Sequence, residues 1–120
     1  MVKELKAIPE FAEAIGNEKT ELVIIDFFAD WCGPCKKIAP KFAKLAEKYS
    51  NVGFYKINAD NKETADIIDA CMVNQLPTFC FFYGGKYIKN MVGANDLELE
   101  KIILEFLPIA EEKPTKLINH

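Results

Sequence analysis

The hydrophobic residues of this chain occur in two alternating patterns. Short, nearly continuous apolar runs such as ELVIIDFF are rich in β-branched and aromatic side chains, which is typical of strands buried on both faces. Gly84 and Gly85 separate the last two runs, and their freedom to take positive φ favours a two-residue hairpin there. Runs of this kind predict four strands, at residues 21–28, 51–59, 78–83 and 86–91.

Helical spacing marks the segments between the strands. After Cys35 the apolar side chains recur at helical intervals while lysines occupy the opposite face, so the pattern predicts an amphipathic helix that reaches about Tyr49. Pro40 lies inside this helix and is expected to kink it, because proline removes one backbone donor. Further helices are predicted at residues 9–15, 63–71 and 99–106.

This alternation of strands and helices predicts an α/β fold, in which helices cover both faces of a sheet and an antiparallel hairpin forms one edge. At 120 residues, half of them hydrophobic, the chain has the size of one domain. From Pro108 onward the periodicity is lost, and charges and a second proline appear. We therefore predict one domain over residues 1–108 and a mobile C-terminal extension over residues 109–120.

Charge and hydropathy exclude several kinds of partner. The net charge is -3 and all 15 positive residues are lysines, whereas nucleic-acid recognition relies on arginine and on a positive field. No stretch approaches the about 20 apolar residues that span a bilayer, and residues 1–11 have no run typical of a signal peptide. We therefore predict a cytoplasmic protein that binds neither nucleic acid nor membrane. Four cysteines in that reducing compartment indicate catalysis, redox sensing or metal binding.

Cys32 and Cys35 lie three positions apart in FADWCGPCKKIAP, where the first predicted strand gives way to a helix. Open α/β sheets carry their chemistry at this edge, and a helix N-terminus favours a thiolate. Residues at this spacing in a helical turn are about 5–6 Å apart, so a disulfide can form. The loop that it closes is too small for much structural stabilisation, so the spacing favours reversible thiol–disulfide exchange.

Two other uses of the cysteines are less well supported. A zinc site needs two further ligands, and the candidates Cys71, Cys80 and His120 lack a zinc-knuckle spacing. A cysteine protease needs a histidine base, and the single histidine is the last residue. We therefore predict that the chain holds no metal and is not a protease.

Several motifs follow one another in an informative order. They are WCGPC after a hydrophobic strand, Asp26 upstream of it, Pro40 in the following helix, Leu76-Pro77-Thr78 before another strand, and Gly84 and Gly93 downstream. The set resembles the thioredoxin family, from about residue 3 to about residue 107. This resemblance implies the thioredoxin fold, which is a central mixed β-sheet of about five strands flanked by four helices.

The resemblance also implies a role for each residue around the pair. Cys32 is the attacking nucleophile and Cys35 is the buried resolving cysteine. Asp26 assists proton transfer at the resolving cysteine with Lys56 as its charged partner, and burial of a carboxylate in a strand is expected to raise its pKa. A cis peptide bond precedes Pro77. The residues of the implied substrate-docking surface are Trp31, Gly33, Pro34, Leu76, Pro77, Val92, Gly93 and Ala94.

Cys71 and Cys80 are not part of the basic motif. Cys80 lies within a buried apolar strand and is expected to be a small core residue. Cys71 ends a predicted helix near the implied docking face. A buried structural cysteine and a regulatory thiol remain equal alternatives for Cys71.

By this resemblance the chain is a protein-disulfide reductase without a bound cofactor, which receives electrons from NADPH through thioredoxin reductase. Its clients would be disulfide-containing proteins such as peroxiredoxins, and we expect a monomer, with a dimer as the alternative. A thioredoxin-like binding module or a redox-sensing regulatory subunit is the alternative function. An oxidising or isomerising role in the secretory pathway is less favoured, since no signal-peptide pattern is found and Gly-Pro separates the cysteines.

Overall fold

Strands and helices alternate along the chain, as predicted. The computed structural model describes residues 1–16 and 22–119, with side chains for residues 1–16 and 22–107. Residue 21 of the first predicted strand and His120 lie outside the described residues. The elements are β1 (Lys3–Glu4), α1 (Ile8–Ile15), β2 (Leu22–Phe28), α2 (Gly33–Lys48), β3 (Gly53–Asn58), a 3-10 turn (Lys62–Thr64), α3 (Ala65–Ala70), β4 (Thr78–Tyr83), β5 (Lys86–Val92) and α4 (Asp96–Asn119).

The five strands form one mixed sheet in the order β1-β3-β2-β4-β5. Strand β3 pairs in parallel with both β1 and β2, whereas β4 pairs antiparallel with β2 and with β5. Gly84 and Gly85 connect β4 to β5 with φ values of 59° and 79°, which a two-residue hairpin turn requires. The predicted α/β sheet with an antiparallel hairpin at one edge is therefore confirmed.

Side chains of the central strand β2 alternate between two hydrophobic layers. Leu22 and Ile24 belong to the layer that α2 and α4 cover, while Val23 and Ile25 belong to the layer that α1 and α3 cover. Because successive residues of a strand point to opposite faces, Asp26 is in phase with Ile24 and faces the α2 side. The polar residue of this strand therefore lies under the helix that carries the cysteines.

Helix α2 begins at the cysteine pair and has one apolar face. Cys32 is its N-cap residue, and Pro34 lies in the first turn, where a missing N–H costs nothing. The helix remains continuous through Pro40. The helix buries a stripe of side chains toward the sheet, and Cys35 is the first of them: Cys35, Ile38, Phe42, Leu45 and Ala46.

Two helices differ in extent from the prediction. The segment predicted as one helix at 63–71 is a 3-10 turn followed by the six-residue α3. Helix α4 continues past Pro108 to Asn119, whereas the sequence predicted a loss of regular structure there. A proline removes a single backbone donor, so a helix can continue beyond it with one hydrogen bond fewer. The domain boundary at residue 108 and the mobility of residues 109–120 stay predictions.

Candidate active site

The pair Cys32 and Cys35 forms a disulfide at the start of α2, with its Cα atoms 5.3 Å apart. Both side chains are buried, with exposed fractions of 5% and 3%. The backbone N–H of Cys35 donates a hydrogen bond of 3.2 Å to Cys32 Sγ. This donor and the N-terminal end of the helix both stabilise negative charge on Cys32 Sγ when the disulfide is reduced.

Strand pairing brings the segment before β4 next to the cysteine pair. Because β4 runs antiparallel to β2, its first residue, Thr78, lies opposite Phe27 at the carboxyl end of β2. Leu76 packs against the cluster that contains both cysteines. The Leu76-Pro77 peptide bond is cis, as the resemblance implied.

The turn after β5 lies next to the Leu76-Pro77 segment and completes the predicted docking surface. Val92 lies opposite Thr78 in the hairpin, and the backbone N–H of Gly93 donates to the carbonyl of Pro77 at 2.9 Å. Gly93 has a φ of 102°, a conformation that side chains other than glycine rarely adopt. Sheet topology thus brings three separate segments of the predicted docking surface together: the WCGPC segment, the Leu76-Pro77 segment and the turn after β5.

Trp31 is exposed on this surface, with 70% of its area accessible. Its indole Nε1–H donates to Asp60 Oδ2 at 2.9 Å. Sequence reasoning missed Asp60, although its position just after β3 places it at the carboxyl edge of the parallel strands, where Trp31 also lies. Beside the tryptophan is a groove of about 490 Å³, lined by Trp31, Ala59, Ile68, Val73, Asn74, Gln75 and Leu76.

Asp26 is buried behind the disulfide, with 3% of its surface exposed. Burial raises its pKa to about 7, and the charge of Lys56 opposes this rise. Lys56 lies opposite Asp26 in the pairing of β2 with β3, so both side chains are on the same face of the sheet. None of the described residues donates a hydrogen bond to Asp26 Oδ1.

Asp26, Cys35 and Lys56 line one cavity of about 300 Å³. Lys56 Nζ lies 5.2 Å from the ring centroid of Phe28. Within residues 1–16 and 22–107, the ion pairs connect helix α2 with helix α4. Asp26 and Lys56 therefore form no direct ion pair, and they interact through their charges at longer range. The cavity thus brings together Cys35 and a carboxyl group whose pKa is about 7.

The other two cysteines lie on the opposite face of the sheet. Cys71 and Cys80 are free thiols and belong to the hydrophobic layer covered by α1 and α3. Cys80 is fully buried within β4, as predicted for a core residue. Where the structure describes side chains, no cluster of three or more histidine, cysteine or acidic residues could hold a metal ion.

A scan against family models matches residues 2–105 to the family described as Thioredoxin. The chain belongs to the thioredoxin family. A thioredoxin-like protein of Acanthamoeba polyphaga mimivirus is 54% identical over 104 residues, which cover 87% of this chain and 76% of that protein. The fold is therefore the thioredoxin fold, and the chain carries the cysteine pair of a protein-disulfide oxidoreductase.

Solved thioredoxin structures agree with this assignment. The thioredoxin of Plasmodium falciparum is 35% identical with a TM-score of 0.79, over 87% of this chain and 98% of that chain. A yeast structure, described as showing the thiol resolving mechanism of mitochondrial 1-Cys peroxiredoxin via glutathione/thioredoxin systems, is 36% identical with a TM-score of 0.78. That match covers 87% of this chain and 94% of the yeast chain. No helix among the described residues is long and apolar enough to cross a membrane.

Proposed function

We propose that this thioredoxin reduces disulfides in client proteins, with Cys32 as the nucleophile. The disulfide at the start of α2, next to the exposed surface around Trp31, is the observation that carries the proposal. In the first step Cys32 Sγ, as the thiolate, attacks one sulfur of the client disulfide. A mixed disulfide forms, and the client's other sulfur leaves as a thiolate.

In the second step Cys35 resolves the mixed disulfide. Its thiol loses a proton, its sulfur attacks Cys32 Sγ, and the client's remaining sulfur leaves as a thiolate, which closes the Cys32–Cys35 disulfide. Asp26 is the group that we propose accepts the proton, because it lines the same cavity as Cys35 and has a pKa of about 7. Lys56 tunes this pKa through its charge.

Clients would dock on the surface around the pair. Trp31 and Val92 expose apolar area at its rim, and Leu76 packs against the cysteines from the segment across from them. Gly33, Pro34 and Ala94 are exposed beside them, and Gly93 is half-buried. An extended client segment next to Pro77 would bring its disulfide to Cys32.

Family membership is the basis for the electron source and the clients that we propose. We propose that NADPH supplies electrons through a thioredoxin reductase, with no cofactor bound to the chain itself. The yeast structure that concerns a peroxiredoxin supports peroxiredoxins as one class of client. Two free thiols, Cys71 and Cys80, support a reducing compartment, for which we propose the cytoplasm. We propose a monomer, which sedimentation of the reduced protein checks.

Insulin reduction tests the proposed activity directly. The wild-type protein should accelerate the precipitation of insulin by dithiothreitol, and Cys32→Ser should abolish the acceleration. Cys71→Ala is the matched control, because it removes a cysteine outside the pair and should retain the activity. A wild-type protein that precipitates insulin no faster than dithiothreitol alone would contradict the proposal.

The roles within the pair need a separate experiment. Cys35→Ser should trap client proteins as mixed disulfides through Cys32, visible as adducts on non-reducing gels. The double variant Cys32→Ser/Cys35→Ser should give none. Partner binding that persists in the double variant, without turnover in the wild type, would instead favour the binding-module or regulatory-subunit alternative.

A further inference from the structure

The stretch between α3 and β4 carries one side of the groove beside Trp31. This stretch, residues 72–77, is called the docking segment below; it lies outside the helices and strands. Its residues 73–76 line the groove, and Pro77 is its last residue. Because the segment is not part of a helix or a strand, its conformation depends on the contacts that hold its two ends.

The start of the docking segment follows directly from the end of α3. The backbone N–H groups of Met72 and Val73 donate to the carbonyls of Asp69 and Ile68, each at 3.0 Å. Met72 has a φ of 56°, the left-handed conformation that is typical of the residue after a helix in this kind of turn. Cys71 is the C-cap of α3, and the carbonyl groups at a helix end need partners from outside the helix.

Asn90 of β5 supplies the partner for the carbonyl of Cys71. Its Nδ2–H donates to this carbonyl at 2.9 Å. Its Oδ1 accepts a hydrogen bond of 2.8 Å from the thiol of Cys80, which lies opposite Asn90 in the pairing of β4 with β5. A carbonyl group cannot donate, so only the Nδ2 end of the amide can bind Cys71. The half-buried amide thus links a fully buried thiol of the sheet to the start of the docking segment.

We propose that Asn90 is a positioning residue for client docking, which holds the start of the docking segment against the sheet. The other end is held from the same hairpin, because the N–H of Gly93 donates to the carbonyl of Pro77 at 2.9 Å. Asn90 and Gly93 are three positions apart, so β5 and the turn after it hold both ends. The effect on clients rests on the proposed function of the docking surface, whereas the anchoring of the segment does not.

The consequence of losing the amide differs between large and small substrates. Without Asn90 the carbonyl of Cys71 and the buried thiol of Cys80 both lose a hydrogen-bond partner, and the start of the segment is released. A client protein that lies along the segment must then order it on binding, which lowers the affinity. A small disulfide can reach Cys32 without contacting the segment, so its reaction is not affected.

Reaction rates with two disulfides of different size test the proposal. Wild-type protein and Asn90→Ala are reduced, freed of reductant and mixed with insulin or with bis(2-hydroxyethyl) disulfide. An acid quench and maleimide labelling then give the oxidised fraction over time. In Asn90→Ala the second-order rate constant for insulin should fall about 3- to 10-fold, and that for the small disulfide should not change. An equal effect on both substrates, or no effect on insulin, would overturn the proposal.

Two further variants separate positioning from a general loss of stability. Ile103→Val shortens a buried side chain in the other hydrophobic layer, so the ratio of the two rate constants should stay at the wild-type value. A change in this ratio as large as that of Asn90→Ala would overturn the specific role of Asn90. Asn90→Asp keeps the size and the acceptor for Cys80 but lacks the Nδ2 donor, so it should also lower the ratio for insulin, and a wild-type ratio would contradict the proposal.

Amide hydrogen exchange tests the anchoring without any client. In oxidised Asn90→Ala the amides of Met72 and Val73 should exchange faster than in the wild type, relative to those of Ile24 and Ile25 in the central strand. Unchanged relative exchange would refute the anchoring, whether or not insulin is reduced. Failure of the wild type to reduce insulin would contradict the proposed function instead, so the two failures are distinguishable.

Discussion

Replacing Asp26 with asparagine removes an ionisable group from the interior while keeping its size. The pKa of Asp26 rises from 3.8 to about 7 on folding because the carboxylate is buried. Each pKa unit corresponds to ~1.4 kcal/mol, so ionisation of Asp26 lowers the free energy of unfolding by about 4 kcal/mol. The Asp26→Asn variant does not ionise and avoids this cost.

The direction of this pH dependence follows from proton binding in the folded and unfolded states. The folded protein holds the proton of Asp26 up to about pH 7, whereas the unfolded chain releases it near pH 3.8. Since the folded state binds more protons in this interval, stability of the wild type falls as pH rises through it. The free energy of unfolding of Asp26→Asn, minus that of the wild type, should therefore increase by about 4 kcal/mol from acidic to alkaline pH.

Urea unfolding of the oxidised proteins, followed by far-ultraviolet circular dichroism at several pH values from about 4 to about 8, measures this difference. Asp69→Asn is the matched control, because it removes a carboxylate at an exposed position of α3. Its difference from the wild type should stay within about 0.5 kcal/mol. A difference for Asp26→Asn that stays flat across this pH range would refute the assignment of Asp26 as a buried, protonated acid.

Substitutions at three further positions test the charge, the core and the turn. Lys56→Met removes the charge that lowers the pKa of Asp26, so this pKa should rise. The free energy of unfolding should then keep falling with pH to a higher pH than in the wild type, and an unchanged pH profile would contradict this. Phe42→Ala should cost about 3–5 kcal/mol in urea unfolding because Phe42 is buried with its ring centroid 5.4 Å from that of Phe79; a loss below about 1 kcal/mol would contradict close packing. Gly85→Ala should cost about 1–2 kcal/mol in the same assay because Gly85 has a φ of 79°, and Gly85→Asn should cost less.

Most elements could be predicted because their signals are local. The apolar run at 78–83 coincides with β4, and the helical spacing after Cys35 identified the buried face of α2. Helix ends were less predictable, since the extent of α4 beyond Pro108 depends on whether the neighbouring turns remain helical. A single sequence contains only a weak signal for that choice.

The candidate site also has features that the sequence could predict and features that it could not. The spacing of Cys32 and Cys35 and their position at a strand–helix junction were sufficient to indicate a redox pair. The cis bond before Pro77 came from the family resemblance, because the general preference of X-Pro bonds would favour trans. Asp60 was missed because its bond to Trp31 joins residues 29 positions apart.

The sequence by itself determined where most of the helices and strands lie and that two cysteines can form a disulfide across one helical turn. Those properties depend on neighbours along the chain. Only the tertiary structure decided that Asp26 and Cys35 line one cavity and that Asn90 bonds both the carbonyl of Cys71 and the thiol of Cys80. Both arrangements depend on strand order and on which helix covers which face of the sheet, and sheet pairing joins residues that are distant in sequence.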